Sequence, residues 1–329
     1  MVLRKHVEHH NSQRDRITYF NVSKSVFTDF FVYKKYIIWY NWIDLLGGKI
    51  MILEEYDECK KSTFDPYDYE ERIPNFPKIG ITCFSHSLIE KYVEIFNGEV
   101  ISELSTANGR IPVYKIKYKG VDLAIFMSRV GAAACCVSYE EVLAKGLDKL
   151  IMFGNCGVLD NKIEDLAIIV PNSAVRDEGT SYHYLKSSRE IEVNKKYKKD
   201  FIEILKQNNI SYVEGKAWTT DAPYRETREK VKKRKEEGCI CVDMECSAMS
   251  AVSKFRNKDF FQFFYAADNL DTSNWDKRSI ENDSKLDEKE KIIYLALELA
   301  IKINRWYYVW SNNRRFSRKY LWIWTNKKY

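Results

Sequence analysis

From residue 77 onward, apolar runs of strand length alternate with segments long enough for amphipathic helices. The apolar runs predict strands at residues 78–84, 113–118, 121–127, 149–153, 167–171, 211–217, 239–244 and 260–266. The segments between them predict helices at residues 87–97, 135–145, 195–208, 225–237, 247–255 and 288–303. Strands that alternate with helices indicate an α/β fold: a single three-layer domain in which helices flank a central mixed β-sheet on both faces.

The two ends of the chain do not share this pattern. Residues 1–50 are rich in Tyr, Phe, Trp and Ile without a clean period, and a Gly-Gly pair stands two residues before Met51. Since Gly-Gly can be encoded by a purine-rich ribosome-binding sequence, we hypothesise that Met51 is the natural start and that the preceding residues are translated upstream sequence. We therefore expect an N-terminal extension at 1–50, the main domain at 51–303, and a basic, aromatic tail at 304–329.

Composition and charge exclude several classes of protein. A hydrophobic share of 45% supplies ample material for a core, and the net charge of +6 comes without a nucleic-acid recognition motif. No run reaches the roughly 18 continuous apolar residues of a membrane helix. The eight cysteines lack metal-type spacing and histidine partners, so we expect no metal. Reduced thiols in apolar runs are typical of a cytoplasmic protein.

Three acidic residues lie at or near the ends of predicted strands. Asp243 and Glu245 close the run that starts at Cys239, and Asp268 follows the run that ends at Ala266. In open α/β sheets, ligands bind at the carboxyl ends of strands, where carboxylates can hold sugar hydroxyls or exchange a proton with a leaving group. The alternative is that these are solvated loop acids or charges at helix N-termini. The pattern alone leaves both interpretations open.

The segment Val-Asp-Met-Glu-Cys-Ser-Ala at residues 242–248 resembles the Val-Glu-Met-Glu-Ala-Ala segment of the nucleoside phosphorylase superfamily. The matching branch holds the hexameric purine nucleoside phosphorylases and the uridine phosphorylases. Four further anchors occur in the family's order, at residues 153–157, 176–182, 218–221 and 267–268. Five ordered matches are more specific than any one short motif, and the resemblance extends from about Pro77 to about Ile303.

The resemblance implies roles for the acidic residues. Glu245 would accept hydrogen bonds from the 2′- and 3′-hydroxyls of ribose, with Met244 and Asp243 also at the sugar. Asp268 would protonate or hydrogen-bond N7 of a purine leaving group, which requires a pKa raised by burial. Glu245 and Asp268 would both be catalytic, because the transition state has oxocarbenium character. From the residues alone, Met244 could be an ordinary core methionine, and Asp268 the cap of a helix or turn.

The same resemblance places Gly157, Asp221 and Tyr224 with Asp268 around the base. A proline occupies the place of the family's stacking phenylalanine, so the aromatic role would pass to Tyr224 or Trp218. Uridine phosphorylases lack an acid at the position of Asp268. This acid therefore favours purine nucleosides as substrates.

The phosphate site is the part of the resemblance that this sequence matches least. Gly154 and Asn155 belong to a segment similar to the family's phosphate turn, although such a segment can also be a tight strand-to-helix connection. The family's two phosphate-binding arginines are absent from the corresponding positions. We expect Arg129, Ser85 and, from a neighbouring subunit, Arg110 to substitute, because a buried phosphate without cations would be unfavourable.

The resemblance implies a nucleoside phosphorylase, a pentosyltransferase that converts a purine nucleoside and phosphate to free base and pentose 1-phosphate. It implies no cofactor beyond inorganic phosphate as co-substrate, and a homodimer or homohexamer in which a neighbouring subunit completes each site. Two alternatives stay open. One is a nucleosidase that uses water, which the missing arginines favour, and the other is a nucleoside-binding homologue without turnover.

Overall fold

The computed structural model describes residues 31–33, 36–38, 51–107, 109–280 and 285–304. The chain divides into two compact units, residues 1–52 and 53–329. In the first unit, β1 (Phe31–Tyr33) and β2 (Tyr36–Ile38) form an antiparallel pair. Apart from these strands and Asn304, the segments 1–50 and 304–329 lie outside the described residues. Our hypotheses of upstream translation and of a basic tail concern these segments.

The other described strands are β3 (Ile79–Cys83), β4 (Glu99–Thr106), β5 (Gly109–Tyr118), β6 (Val121–Met127), β7 (Lys149–Val158), β8 (Ile168–Asp177), β9 (Glu190–Glu192), β10 (Tyr212–Thr220), β11 (Cys239–Asp243) and β12 (Asp259–Asn269). The α-helices are α1 (Pro66–Tyr69), α2 (His86–Ile95), α3 (Ala132–Lys145), α4 (Ser181–Tyr184), α5 (Lys198–Gln207), α6 (Arg228–Glu236), α7 (Cys246–Arg256) and α8 (Leu286–Ile303). Short 3-10 helices span Ile52–Glu54 and Pro223–Arg225.

Ten of the described strands form one mixed sheet in the order β11–β10–β8–β12–β7–β3–β6–β5–β4, with β9 paired to β8. The central strands β12, β7, β3 and β6 are parallel, and β4, β5 and β6 follow one another antiparallel. Strand β11 pairs with β7 as well as with β10. Strands β7, β12, β8, β10 and β11 therefore close into a ring, whose pairings bring the last residues of β7, β11 and β12 together.

The side chains of β7 alternate between two layers of helices. Phe153 belongs to a buried cluster that contains residues of α2, α5 and α8, whereas Met152 belongs to a second cluster that contains residues of α3 and α7. The ring of Phe153 stacks on Phe263 of β12 at 5.5 Å between centroids, and the ring centroid of Phe201 of α5 lies 4.5 Å from that of Phe263. Each large apolar side chain buried in this way contributes about 1.5–3 kcal/mol. The three-layer α/β architecture is confirmed.

Most of the predicted strands and helices occur, several of them longer than predicted. The partly exposed strand β4 and the short elements β9, α1 and α4 were not predicted, because their sequences carry no long apolar run. The prediction of a Gly-rich turn at Gly154–Gly157 is wrong. These residues continue β7 to Val158, because they pair with residues of β12 from Phe264 to Asp268, with a register shift between Ala266 and Asp268.

Candidate active site

The strands that carry the two predicted catalytic acids pair with β7 at Gly157, near its end. Gly157 pairs with Asp268 of β12 on one side and with Val242 of β11 on the other. Asp243 and Glu245 follow Val242 within three residues. The register of these three strands therefore brings both acids to the same end of the ring of strands.

Asp243 ends β11 and is buried, with all its bonds made inside the protein. Its Oδ1 accepts the Thr219 hydroxyl at 2.7 Å, and its Oδ2 accepts the backbone N–H groups of Glu245 at 2.9 Å and Cys246 at 2.7 Å. These N–H groups belong to the start of α7, which has no helical partners for them. Both oxygens of Asp243 are thus engaged. These bonds fix the backbone at Glu245 and Cys246, and the expected contact of Asp243 with a sugar stays a prediction.

Glu245 lies between the start of α7 and the turn that precedes α3. Its Oε1 accepts the backbone N–H of Gly131 at 2.6 Å, and the residue is only 5% exposed. Burial raises the pKa of the Glu245 carboxyl well above its ordinary value, and the neighbouring Asp243 raises it further. Met244 beside it is half-buried. A carboxylate accepts at about four lone-pair sites, so Glu245 keeps capacity for the hydroxyls of a ligand.

Asp268 lines a cavity of about 590 Å³ at the end of β12. Its side chain is 8% exposed, and its Oδ2 accepts the indole N–H of Trp275 at 2.7 Å. Burial raises the pKa of the Asp268 carboxyl above its ordinary value. The remaining lining includes Tyr224, Glu226, Arg228, Val231, Leu270 and Ile280. Glu245 is not among the residues that line this cavity.

Gly157 fits closely against the wall of this cavity. A methyl carbon placed on Gly157 would lie 2.5 Å from Leu270 Cδ1, 3.1 Å from Val242 Cγ1 and 3.2 Å from Asp268 Oδ1. Two of these neighbours, Leu270 and Asp268, line the cavity themselves. The absence of a side chain at Gly157 is therefore what allows Asp268 and Leu270 to take their places.

Of the other residues expected at the base, Tyr224 lines the cavity, whereas Asp221 and Trp218 do not. Tyr224 lines the cavity and is 99% exposed, which places it at the mouth. Asp221 accepts the backbone N–H of Gly179 at 2.9 Å and is not part of the lining. Trp218 is fully buried and donates its indole N–H to Asp177 at 2.9 Å, so its expected stacking role is wrong.

Three of the expected phosphate residues, Ser85, Arg129 and Gly154, lie on neighbouring segments of the chain. The N–H of Ser128 donates to the Cys83 carbonyl at 2.8 Å, so the loops that carry Arg129 and Ser85 are adjacent. A methyl carbon on Gly154 would lie 2.7 Å from the ring of Phe84, the residue before Ser85. Asn155 is exposed, and Ser85 caps α2 through the Leu88 N–H at 3.3 Å.

The two arginines expected to hold phosphate are engaged elsewhere. The Arg129 guanidinium donates to Ser138 Oγ at 2.8 Å and to the carbonyls of Leu104 and Gly109 at 3.4 Å and 3.1 Å. These contacts hold it to α3 and to the hairpin of β4 and β5. Arg110, on the same hairpin, is exposed and pairs with Glu103 at 3.0 Å. The structure thus brings the loops together and turns the Arg129 head group towards the hairpin.

Glu226 and Trp275 are cavity residues that the sequence analysis missed. The helix predicted at 225–237 begins three residues later, at Arg228, after the 3-10 turn. Thr227 is the N-cap, and this residue type is preferred there, so it is the signal that could have placed Glu226 in the preceding loop. Trp275 lies in the loop after β12, where nothing in the local pattern indicates which way a side chain points.

Within the described ranges, no group of three or more His, Cys, Asp or Glu side chains is arranged to hold a metal ion. None of the helices described has both the length and the apolar character of a membrane span. All eight cysteines are free, and seven of them are buried.

A sequence model described as the phosphorylase superfamily matches residues 78–302, from the start of β3 to the end of α8. The chain belongs to this superfamily. The matched region contains every predicted site residue, from Ser85 to Asp268. Among its relatives, a guanosine phosphorylase of Halorubrum lacusprofundi is 24% identical over 202 residues, which are 61% of this chain and 82% of the relative. A purine nucleoside phosphorylase DeoD-type 1 of Shewanella oneidensis is 24% identical over 207 residues, 62% of this chain and 86% of that protein.

Solved structures of superfamily members share the fold. A uridine phosphorylase from Vibrio fischeri superposes with a TM-score of 0.61 at 22% identity, over 70% of this chain and 98% of that one. A purine nucleoside phosphorylase from Toxoplasma gondii gives a TM-score of 0.60 at 17% identity, over 71% and 94% of the two chains. The chain is therefore a nucleoside phosphorylase homologue with the fold of that family, and its relatives are pentosyltransferases.

Proposed function

We propose that this protein is a purine nucleoside phosphorylase, which transfers the pentosyl group of a purine nucleoside to inorganic phosphate and releases the free base. The observation that carries the proposal is the buried Asp268 carboxyl at the wall of the cavity, beside Gly157. Burial raises the pKa of the Asp268 carboxyl above its ordinary value, which is the direction that a proton donor to a leaving group requires. The relatives named as purine nucleoside and guanosine phosphorylases support the same substrate class.

In this proposal the base occupies the cavity and Asp268 donates a hydrogen bond or a proton to N7. The negative charge that develops on the departing purine is then neutralised where it forms, which lowers the barrier to cleavage. The sugar extends towards Glu245, whose carboxyl accepts the 2′- and 3′-hydroxyls. The positive charge of the oxocarbenium-like transition state counteracts the rise in pKa that burial causes, so the ionised form stabilises that state. Asp243 holds the backbone of Glu245 in place by accepting the N–H groups of Glu245 and Cys246.

Phosphate would approach from the adjacent loops that carry Ser85 and Arg129, beside Gly154 of β7. We infer that Arg110 of a neighbouring subunit supplies a further cation, in a homodimer or homohexamer, because the hairpin that carries it is exposed. The enzyme would need no cofactor other than this co-substrate. Seven buried free thiols support a cytoplasmic location, since thiols persist in reducing compartments.

The test is incubation of the protein with inosine, guanosine, adenosine and uridine, each with and without phosphate. We expect base release that requires phosphate and yields pentose 1-phosphate, faster with purine than with pyrimidine nucleosides. Release of the base together with free pentose in the absence of phosphate would refute phosphorolysis, and faster cleavage of uridine would refute the purine assignment.

A nucleosidase that uses water is the second candidate. The observation that favours it is the commitment of Arg129 to Ser138 and to the carbonyls of Leu104 and Gly109, because a phosphate dianion needs cations that these contacts occupy. The same incubation decides between the two, since a nucleosidase would release base and free pentose at a rate independent of phosphate. Nucleoside binding without release would instead indicate a homologue that has lost turnover.

A further inference from the structure

A second cavity, of about 620 Å³, lies beside the C-terminal end of α7. Its lining comes from the segments 56–60 and 185–192, from Arg176 of β8 and from Lys254 of α7. Lys254 stands nine residues after Glu245, a rise of about 14 Å along a helix. The second cavity shares no lining residue with the cavity described above, and its volume is in the range of small-molecule sites.

Positive charge exceeds negative charge in this lining. Each of its three carboxylates has a lysine partner: Glu58 pairs with Lys186, Glu190 with Lys216 at 2.5 Å, and Glu192 with Lys195 at 3.3 Å. Within the described ranges, three further cations of the lining have no carboxylate at ion-pair distance: Lys60, Arg176 and Lys254. The second cavity therefore offers three cationic groups with which an anionic ligand could pair.

Arg176 is the least exposed of these cations, with only 4% of the residue accessible. Its guanidinium uses four of its five N–H groups on neutral acceptors: Ser181 Oγ at 2.8 Å, Ser188 Oγ at 2.8 Å, and the carbonyls of Lys186 at 2.8 Å and Leu185 at 3.1 Å. Burial lowers the pKa of Arg176, and the nearby Tyr182 and Glu178 offset this only in part. A buried cation is unfavourable without a counter-charge, and an anion in the cavity would supply one.

The two lysines keep donors that their present bonds do not use. Lys254 Nζ donates to the carbonyl of Glu192 at 2.7 Å, and Lys60 Nζ donates to a carbonyl in the last turn of α7 at 3.1 Å, whereas an ammonium group has three N–H donors. Partial burial lowers the pKa of the Lys254 amino group, Glu192 opposes this fall, and the positive charges of Lys195 and Arg176 add to it. The Lys254 and Arg176 charges therefore repel each other, and a bound anion would offset that repulsion.

The size of the second cavity and the rest of its lining indicate what the anion is attached to. An inorganic phosphate ion would fill only a small part of 620 Å³. Leu185 and Ile191 add apolar surface, and the half-buried Tyr56 adds a ring that can pack on a sugar or a base. A phosphate monoester carries nearly two negative charges at neutral pH and accepts hydrogen bonds from several donors at once.

We propose that the second cavity binds a small phosphate monoester, a nucleotide or a sugar phosphate, with its phosphate group at Arg176, Lys60 and Lys254. This site is separate from the proposed cleavage site, at the other end of α7, and does not depend on the reaction there. Because hydrogen bonds between charged groups are the strong ones, removal of one lysine charge should lower the affinity about 10- to 100-fold.

The test compares the wild-type protein with Lys254→Gln, Lys60→Gln and the control Lys206→Gln. Lys206 is an exposed lysine in the last turn of α5, as Lys254 is in the last turn of α7, and it lies outside the lining. Calorimetric titration with guanosine 5′-monophosphate, ribose 5-phosphate and guanosine, in phosphate-free buffer at fixed ionic strength, measures the affinity for each.

We expect both phosphate esters to bind the wild-type protein and Lys206→Gln equally. In Lys254→Gln and Lys60→Gln their affinity should fall about 10- to 100-fold, whereas the affinity for guanosine, which has no phosphate, should be the same in all four proteins. Tighter binding of guanosine 5′-monophosphate than of ribose 5-phosphate would assign a nucleotide to the second cavity, and equal affinity would assign a sugar phosphate.

The outcomes separate this inference from the proposed function. If neither phosphate ester binds, or if both bind the cavity variants as tightly as the wild-type protein, the inference is overturned, even where phosphate-dependent base release occurs. A loss confined to the two cavity variants supports it, even where no nucleoside is cleaved. Thermal melts of all four proteins check that the fold is intact, and the exposed Lys60 provides a second variant should Lys254→Gln unfold.

Discussion

Replacement of Gly157 by alanine tests directly whether the cavity beside Asp268 is the nucleoside site. The added carbon would lie 2.5 Å from Leu270 Cδ1, whereas carbon atoms in contact prefer about 3.5–4.0 Å. The Leu270 methyl must therefore move by about 1 Å. Val242 at 3.1 Å and Asp268 Oδ1 at 3.2 Å leave little room on the other sides, so the displaced side chain moves along the cavity wall.

We expect Gly157→Ala to lower kcat/KM for a purine nucleoside by about 10- to 100-fold, because misplacement of reacting groups by about 1 Å has effects of this size. Overpacking should also lower the free energy of unfolding by about 1–3 kcal/mol. The assay follows base release by absorbance at saturating phosphate, and urea unfolding gives the stability of the same preparations.

Gly215→Ala on β10 is the matched control. A methyl carbon there would lie 2.5 Å from Ile240 Cδ1, the same distance to the same kind of atom, and neither residue lines the cavity. Both variants should lose similar stability, and only Gly157→Ala should lose activity beyond that loss. If the two variants retain equal activity, the cavity is not where the base binds and the reasoning fails.

Three further predictions concern the charged residues. Asp268→Asn should lower kcat/KM about 100-fold for purine nucleosides and far less for uridine, and an equal loss for both in the same absorbance assay would argue against a contact with N7. Because burial raises the pKa of Glu245 in the folded state, its contribution to stability is fully present below the ordinary glutamate pKa and is lost as pH rises through the raised value. Glu245→Gln should therefore flatten the fall in Tm between about pH 5 and pH 9, and parallel Tm profiles for both proteins would contradict the burial argument. Arg129→Ala should lower the free energy of unfolding by about 1–3 kcal/mol through its lost bonds to the β4–β5 hairpin, and unchanged urea midpoints would show that those bonds contribute nothing.

The parts of the site that could be predicted are those that the strand register fixes. Gly157 pairs with Val242 on one strand and with Asp268 on another, so the motifs on these strands lie at the same end of the sheet. The hydrophobic pattern likewise predicted the layers, because alternate residues of a buried strand such as β7 must face opposite sets of helices.

The parts that could not be predicted depend on side-chain direction in loops. The sequence indicated Arg129 as a phosphate ligand, but its head group turns to the hairpin, where three acceptors satisfy it. Asp243 was expected at the sugar, but the free N–H groups at the start of α7 engage it. Glu226 was assigned to an exposed helix, since the 3-10 turn that places it at the cavity leaves no hydrophobic period to detect. Each of these outcomes is decided by a nearby backbone group that a linear pattern does not reveal.

The central claim is that one nucleoside spans the two acids, with its sugar at Glu245 and its base at Asp268. A crystal structure of the protein with a purine nucleoside and sulfate measures this directly. The account predicts the 2′- and 3′-hydroxyl oxygens within about 3.2 Å of the Glu245 carboxylate, and N7 within the same distance of Asp268. A nucleoside bound outside the Asp268 cavity, or one whose sugar points away from Glu245, would contradict it.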